Sequence, residues 1–161
     1  MRSPRFWSDP PDRFSLIARA LTPLGAVYAT GTARRVARRG MRPGVPVICV
    51  GNINVGGTGK TPVVIDLLMR FLGRGRHPHV ISRGYGARVH GVVTVDPAAH
   101  GADDVGDEPL LLAQFAPVHV SVDREAAARA AVAAGADVII MDDGFQNPSL
   151  VKDVSLMVVV R

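Results

Sequence analysis

The run Asn54-Val55-Gly56-Gly57-Thr58-Gly59-Lys60-Thr61 constrains this chain more than any other segment. An apolar stretch, Val47-Ile48-Cys49-Val50, precedes it, and a helical pattern from Lys60 to Leu72 follows. Gly56, Gly57 and Gly59 let the backbone curl until its N–H groups converge. The start of the following helix adds its positive end. A strand, a tight Gly-rich turn and a helix in this register form a phosphate cradle. The run matches G-x-x-x-x-G-K-[ST], with Asn54 in place of the first glycine. In a P-loop of this kind Lys60 meets the β- and γ-phosphates of a nucleotide, and the Thr61 hydroxyl ligates Mg²⁺. The expected ligands are ATP and Mg²⁺.

Past the loop, short apolar runs alternate with helical patterns. Strands are expected at Val47–Val50, His79–Ser82, Val92–Val95, Val118–Val122, Val138–Met141 and Val154–Val160. Helices are expected at Lys60–Leu72, Glu108–Phe115 and Arg124–Ala134, the last stopped by Gly135. Such alternation predicts an α/β fold, a P-loop NTPase-type parallel sheet flanked by helices. Hydrophobic residues make up 47% of the chain and charged residues 20%, which is enough apolar material for a packed core. The last expected strand reaches Arg161 with no covering structure after it, as in a fragment or truncated product.

Three further segments carry chemistry. Val138-Ile139-Ile140-Met141-Asp142-Asp143 is an apolar strand ending in carboxylates, the form of a Walker B element. Asp142 or Asp143 would hold Mg²⁺, directly or through water. Asp103-Asp104-Val105-Gly106-Asp107-Glu108-Pro109 gathers four carboxylates at a helix start, where acidic residues are also stabilising on their own account. Ser82-Arg83-Gly84-Tyr85-Gly86 follows the second strand, at the sheet edge where α/β proteins place ligands. Arg83 either reaches a phosphate there or is a solvated loop arginine. The five histidines show no ligand spacing, which argues against a His-type metal site. The lone Cys49 excludes an intramolecular disulfide and reads as a buried strand thiol.

Charge divides the chain at its N-terminal part. Residues 1–42 hold nine arginines against two aspartates, net +7, whereas the chain as a whole is +5, so residues 43–161 are net −2. Within 1–42, Phe14, Ile17, Leu21, Leu24 and Tyr28 recur at helical spacing, and Arg34, Arg35, Arg38 and Arg39 follow. Pro23 is expected to kink or divide this helix. No run of apolar residues is long enough to span a membrane. Asp9 and Asp12 in the would-be leader argue against a secretory signal. The division expected is a basic amphipathic, membrane-associating segment over 1–42 and a P-loop lobe over 43–161. Nucleic acid is not an expected partner, because the arginine cluster lacks interleaved aromatic or base-reading residues.

Taken in order, Val50-Gly51-Asn52 running into the P-loop and Pro62, then Ser82-Arg83-Gly84-Tyr85-Gly86, Gly106-Asp107-Glu108-Pro109 and Asp142-Asp143-Gly144-Phe145-Gln146 resemble the tetraacyldisaccharide 4′-kinases. Phe6-Trp7 ahead of an apolar helix is similar to that family too. The resemblance covers nearly the whole chain but about half of a usual family member. It implies transfer of the ATP γ-phosphate to the 4′-hydroxyl of an acylated disaccharide 1-phosphate, giving lipid IVA. It places the protein at the cytoplasmic face of the bacterial inner membrane. By the same resemblance Asp107 is the base on the sugar hydroxyl, Glu108 lies near Mg²⁺ with the Asp142–Asp143 pair, and Arg83 and Gln146 fall in the substrate region. Asn147 stands where family members often carry His, and the family's second lobe, with its His partner to the base, has no counterpart in these residues. The rival readings are a P-loop switch or partitioning-type ATPase, which the P-loop and the Asp strand alone would fit, and a catalytically inactive fragment.

Overall fold

The computed structural model describes residues 16–36, 40–52, 59–84 and 90–159. The chain separates into two compact units, Met1–Arg38 and Arg39–Arg161. In the first, helix α1 spans Leu16–Val36 and runs through Pro23. Of the two expected outcomes at Pro23, a kink or a division, the division does not occur: the proline removes one backbone hydrogen bond without ending the helix. Leu24, Val27 and Tyr28 stand 67%, 72% and 77% exposed, so this apolar stripe is open along its described length. No helix among the described residues is long and apolar enough to cross a membrane. Phe6, Trp7 and Phe14 lie outside the described residues.

The second unit is built on a six-stranded sheet. Its strands are β1 (Val47–Asn52), β2 (Pro78–Ser82), β3 (Val93–Thr94), β4 (Val118–Val120), β5 (Val138–Asp142) and β6 (Val154–Val158), in spatial order β3-β4-β2-β5-β1-β6. All neighbours pair parallel except β3 with β4, which pair antiparallel. The sheet is therefore mixed at one edge rather than wholly parallel. The segment between Ser82 and Val93 is too short for the crossover helix that a parallel β3 would need.

The helices are α2 (Lys60–Leu72), α3 (Ala102–Val105), α4 (Asp107–Leu112) and α5 (Arg124–Ala133). The sequence pattern places α2 at the same bounds, whereas α4 stops short of the expected Phe115 and continues only as turns. Alternate residues of each central strand serve opposite faces, as the period of two requires. Val50, Val80, Val118, Val120 and Ile140 pack with Val64 and Leu68 of α2 and Leu112 of α4. Val47, Cys49, Ile81, Ile139 and Met141 pack with Ala127, Ala128 and Ala131 of α5. Burial on both faces explains why Val47–Val50 of β1 and Val138–Met141 of β5 read as continuous apolar runs. The small alanine face lets α5 lie close to the sheet. Residues just ahead of β1 belong to this unit: Met41 bridges Leu150, with Met41 N donating to Ser149 O at 2.7 Å and Val151 N to Met41 O at 3.0 Å.

Because β1, β2, β4 and β5 are parallel, their C-terminal ends share one edge of the sheet. That edge is where an open α/β sheet presents its loops to ligands. Asn52, Ser82, Val120 and Asp142 end the four strands there.

Candidate active site

Gly59, at φ 72°, ψ 21°, turns the chain into α2 through the left-handed region that glycine enters without strain. Lys60 and Thr61 follow as the first residues of that helix. Asn54, Val55, Gly56, Gly57 and Thr58 lie outside the described residues. The Lys60 Nζ sits 3.1 Å from the Asp143 carboxylate, with the lysine side chain mostly buried and the aspartate open. Thr61 Oγ1 approaches Glu108 Oε1 at 3.4 Å. Three segments far apart in sequence therefore meet at one point: the start of α2, the end of β5 and the start of α4.

Asp142 closes β5 and is 4% exposed. Burial, with the charges of Glu108 and Asp143 also raising it, pushes its carboxyl up to about 6, against an opposing pull from Lys60 and Arg124. Asp143 follows at φ 51°, the one non-glycine residue with positive φ among those described. Its amide donates to Val50 O at 2.9 Å, tying the turn to the neighbouring strand.

Gly106 shapes the acidic segment. At φ 95°, ψ 153° it occupies a region closed to residues with a side chain, and α4 begins immediately after it. Asp107 and Glu108 become the first two residues of that helix, both exposed. Asp103 and Asp104 fall in the short helix α3 instead. Asp104 accepts from Gly101 N at 2.8 Å, so part of the acidic run is capping structure.

The remaining sequence candidates stand apart. Arg83 and Gln146 lie at the same sheet edge, and none of the hydrogen bonds or ion pairs among the described residues brings either into the cluster. Asn147 shapes its own turn: its Oδ1 accepts from Ser149 N at 2.8 Å and from Ser149 Oγ at 2.6 Å. Phe145 lies against Gly51, where a Cβ would come within 2.8 Å of the ring.

Sequence pattern alone does not single out Arg124. It opens α5 yet is 3% exposed, with Nη2 donating to Asp142 O at 3.0 Å. The available signal was its place: an arginine beginning the helix that follows a parallel strand stands at the ligand edge of the sheet. Nor does the pattern show that His79 and His119, 40 positions apart, meet with Nδ1 and Nε2 3.0 Å apart.

The oxygen donors Thr61, Glu108, Asp142 and Asp143 suit a hard cation. Among the described residues, no three His, Cys, Asp or Glu side chains group closely enough to hold a metal by themselves.

Known proteins share both this sequence and this fold. The profile of the tetraacyldisaccharide-1-P 4′-kinases matches residues 17–160. The chain is 64% identical to the tetraacyldisaccharide 4′-kinase of Dinoroseobacter shibae over 160 residues, covering 99% of this chain and 48% of that protein. It is 55% identical to the enzyme of the same name from Gluconacetobacter diazotrophicus over 159 residues, covering 99% of this chain and again 48% of that protein. The chain thus spans about half the length of the curated relatives it matches. A solved structure, LpxK from Aquifex aeolicus in complex with ATP, superposes with a TM-score of 0.71 at 29% identity, over 88% of this chain and 49% of that one. The match by profile, by sequence and by fold has one meaning: the chain belongs to the tetraacyldisaccharide-1-phosphate 4′-kinase family.

Proposed function

We propose that these residues form the nucleotide-binding half of an ATP-dependent kinase that phosphorylates the 4′-hydroxyl of an acylated disaccharide 1-phosphate. The carrying observation is the convergence of Lys60 on Asp143 and Thr61 on Glu108 at the ligand edge of the sheet. Family membership supplies the acceptor, and the ATP bound to the Aquifex aeolicus neighbour supports the donor.

In this reading the P-loop, Asn54 to Thr61, wraps the phosphates, and Lys60 faces the transferred one. Thr61, Asp142, Asp143 and Glu108 are the oxygen donors for Mg²⁺. When bound, that ion neutralises charge on the β- and γ-phosphates. The acceptor oxygen forms a bond to the γ-phosphorus as the bond to the β–γ bridging oxygen breaks, and ADP leaves. The hydroxyl proton passes to Asp107, which stands exposed at the head of α4 beside the cluster. Arg83 and Gln146, at the same edge, are assigned to the acceptor side.

The N-terminal unit, Met1–Arg38, is assigned to an anionic membrane surface and Arg39–Arg161, which includes the Met41 bridge to Leu150, to the catalytic lobe. The open stripe of Leu24, Val27 and Tyr28 supports that assignment, together with the arginines that follow. A lipid acceptor calls for such a contact. The same reading puts the protein peripherally on the cytoplasmic face of the bacterial inner membrane, where ATP is available. Nucleic acid has no part in it.

The test is phosphate transfer from ATP with Mg²⁺, measured with and without the acylated disaccharide, on protein that includes the relatives' remaining length. Product that depends on the acceptor supports the kinase. ATP hydrolysis indifferent to the acceptor would instead mark a nucleotide-dependent switch.

A further inference from the structure

Arg124 stands directly after Asp123, the cap of α5, whose carboxylate accepts from Glu125 N and Ala126 N. An arginine opening an alanine-rich helix ordinarily extends into water. This one is buried, and its Nη1 has no hydrogen-bond partner among the described residues. Packing alone does not explain that arrangement, since an apolar side chain would fill the space without stranding a donor.

What the guanidinium holds is more telling. Its Nη2 donates to Asp142 O at 3.0 Å and, at the limit of a hydrogen bond, to Asp143 O at 3.5 Å. The first carbonyl belongs to the peptide plane before the Asp143 Cα and the second to the plane after it. Those two planes define φ and ψ of Asp143. That residue adopts φ 51°, a conformation that an aspartate keeps only where its surroundings impose it. The same conformation brings its carboxylate to Lys60 at 3.1 Å. A second cation, Lys152, holds the loop further along, with Nζ donating to Phe145 O at 3.1 Å and Asn147 O at 2.7 Å.

We propose that Arg124 is a positioning residue: by bonding the carbonyls on both sides of the Asp143 Cα, it sets the direction of the Asp143 carboxylate toward Lys60 and toward a Mg²⁺-bound nucleotide. The inference rests on the nucleotide-binding reading above. Arg124 touches no reacting atom and acts through Asp143. Lysine, with one compact head in place of a planar fork, reproduces only part of the arrangement.

The experiment measures ATP affinity with a chelator and with saturating Mg²⁺, for the unsubstituted protein, Arg124→Met, Arg124→Lys and Lys152→Met. Thermal unfolding of each is recorded alongside. For Arg124→Met, the affinity gained from Mg²⁺ should fall by about tenfold or more, while metal-free affinity stays within about twofold. Arg124→Lys should recover part of the gain. Lys152→Met should lower the unfolding temperature and leave the gain intact. The proposal is overturned if Arg124→Met keeps the full gain, or if metal-free binding falls in step with it. It is equally overturned if Lys152→Met loses the gain to the same extent, because any loosening of the loop would then suffice. If the unsubstituted protein binds no ATP, or gains nothing from Mg²⁺, the nucleotide reading itself fails and the role of Arg124 fails with it. That outcome is visible before any variant is made.

Discussion

The Lys60 ammonium lies 3.1 Å from the Asp143 carboxylate, joining the first turn of the helix after the P-loop to the residue that follows the Asp142 strand end. An ion pair between two such elements aligns the lysine with the oxygen donors Thr61 and Glu108. In the proposed reaction Lys60 is the cation facing the transferred phosphate, and Lys60→Ala removes it. Electrostatic groups of this kind supply on the order of 3–4 kcal/mol, a factor of about a hundred to a thousand in rate. Phosphoryl transfer in the Lys60→Ala protein should fall by that factor in a steady-state assay. Activity within about threefold of the unsubstituted protein would remove Lys60 from the mechanism.

In the proposed reaction Asp107 acts on the acceptor and not on the nucleotide. It begins α4 exposed, while Glu108 beside it is the residue that approaches Thr61. Asp107→Asn should leave ATP affinity intact and lower turnover by roughly 10²–10⁴, the usual loss when a general base is removed. Binding and turnover measured on the same preparation separate the roles. Loss of ATP binding with turnover intact at saturation would make Asp107 a metal or structural residue.

Helix α1 makes a prediction about membranes. Leu24, Val27 and Tyr28 are open to solvent, and basic residues near an anionic leaflet contribute about 1 kcal/mol each. Flotation with vesicles containing anionic lipid should be lost when residues 1–38 are removed, and weakened by added salt. Unchanged flotation would put the membrane contact elsewhere.

The sheet and its helices were largely legible because buried strands and amphipathic helices leave periodic apolar patterns. The direction of β3 was not. Two residues of strand carry no sign of their orientation, and only the length of the connection decides it. The site was legible where chemistry imposes spacing, as from Gly59 to Thr61 and at Asp142–Asp143. It was illegible where the work falls to a side chain of ordinary kind. Arg124 reads as a solvated helix arginine until its contacts with Asp142 O and Asp143 O are known. Asp103 and Asp104 read as part of the acidic cluster until Gly106 is seen to divide two helices.

The buried histidine pair gives a pH dependence with a definite sign. His119 Nε2 lies 3.0 Å from His79 Nδ1, and Thr94 Oγ1 lies 3.0 Å from His119 Nδ1, a short polar chain within the sheet. Both rings are buried, and the two are stacked with centroids 5.2 Å apart. Burial, and then the neighbouring His79, lowers the His119 pKa from 6.5 to about 4. Burial, and then His77, lowers that of His79, while Asp137 opposes the shift. A histidine held neutral in the fold binds a proton more readily when unfolded. Its stabilising effect is therefore complete above the unfolded pKa of about 6.5 and shrinks as pH falls, until the folded ring also protonates near 4. Over that window a single group shifted this far removes about 3 kcal/mol. Asp142 acts in the opposite sense: its raised pKa favours the folded state on acidification and partly masks the effect in the unsubstituted protein. The difference between unsubstituted protein and His119→Gln isolates the pair, because the Asp142 contribution is common to both. Urea unfolding across this range should show the stability of the unsubstituted protein, relative to His119→Gln, falling steadily as pH drops. A difference constant with pH would mean that His119 is not held neutral, and that the chain from Thr94 to His79 is packing alone.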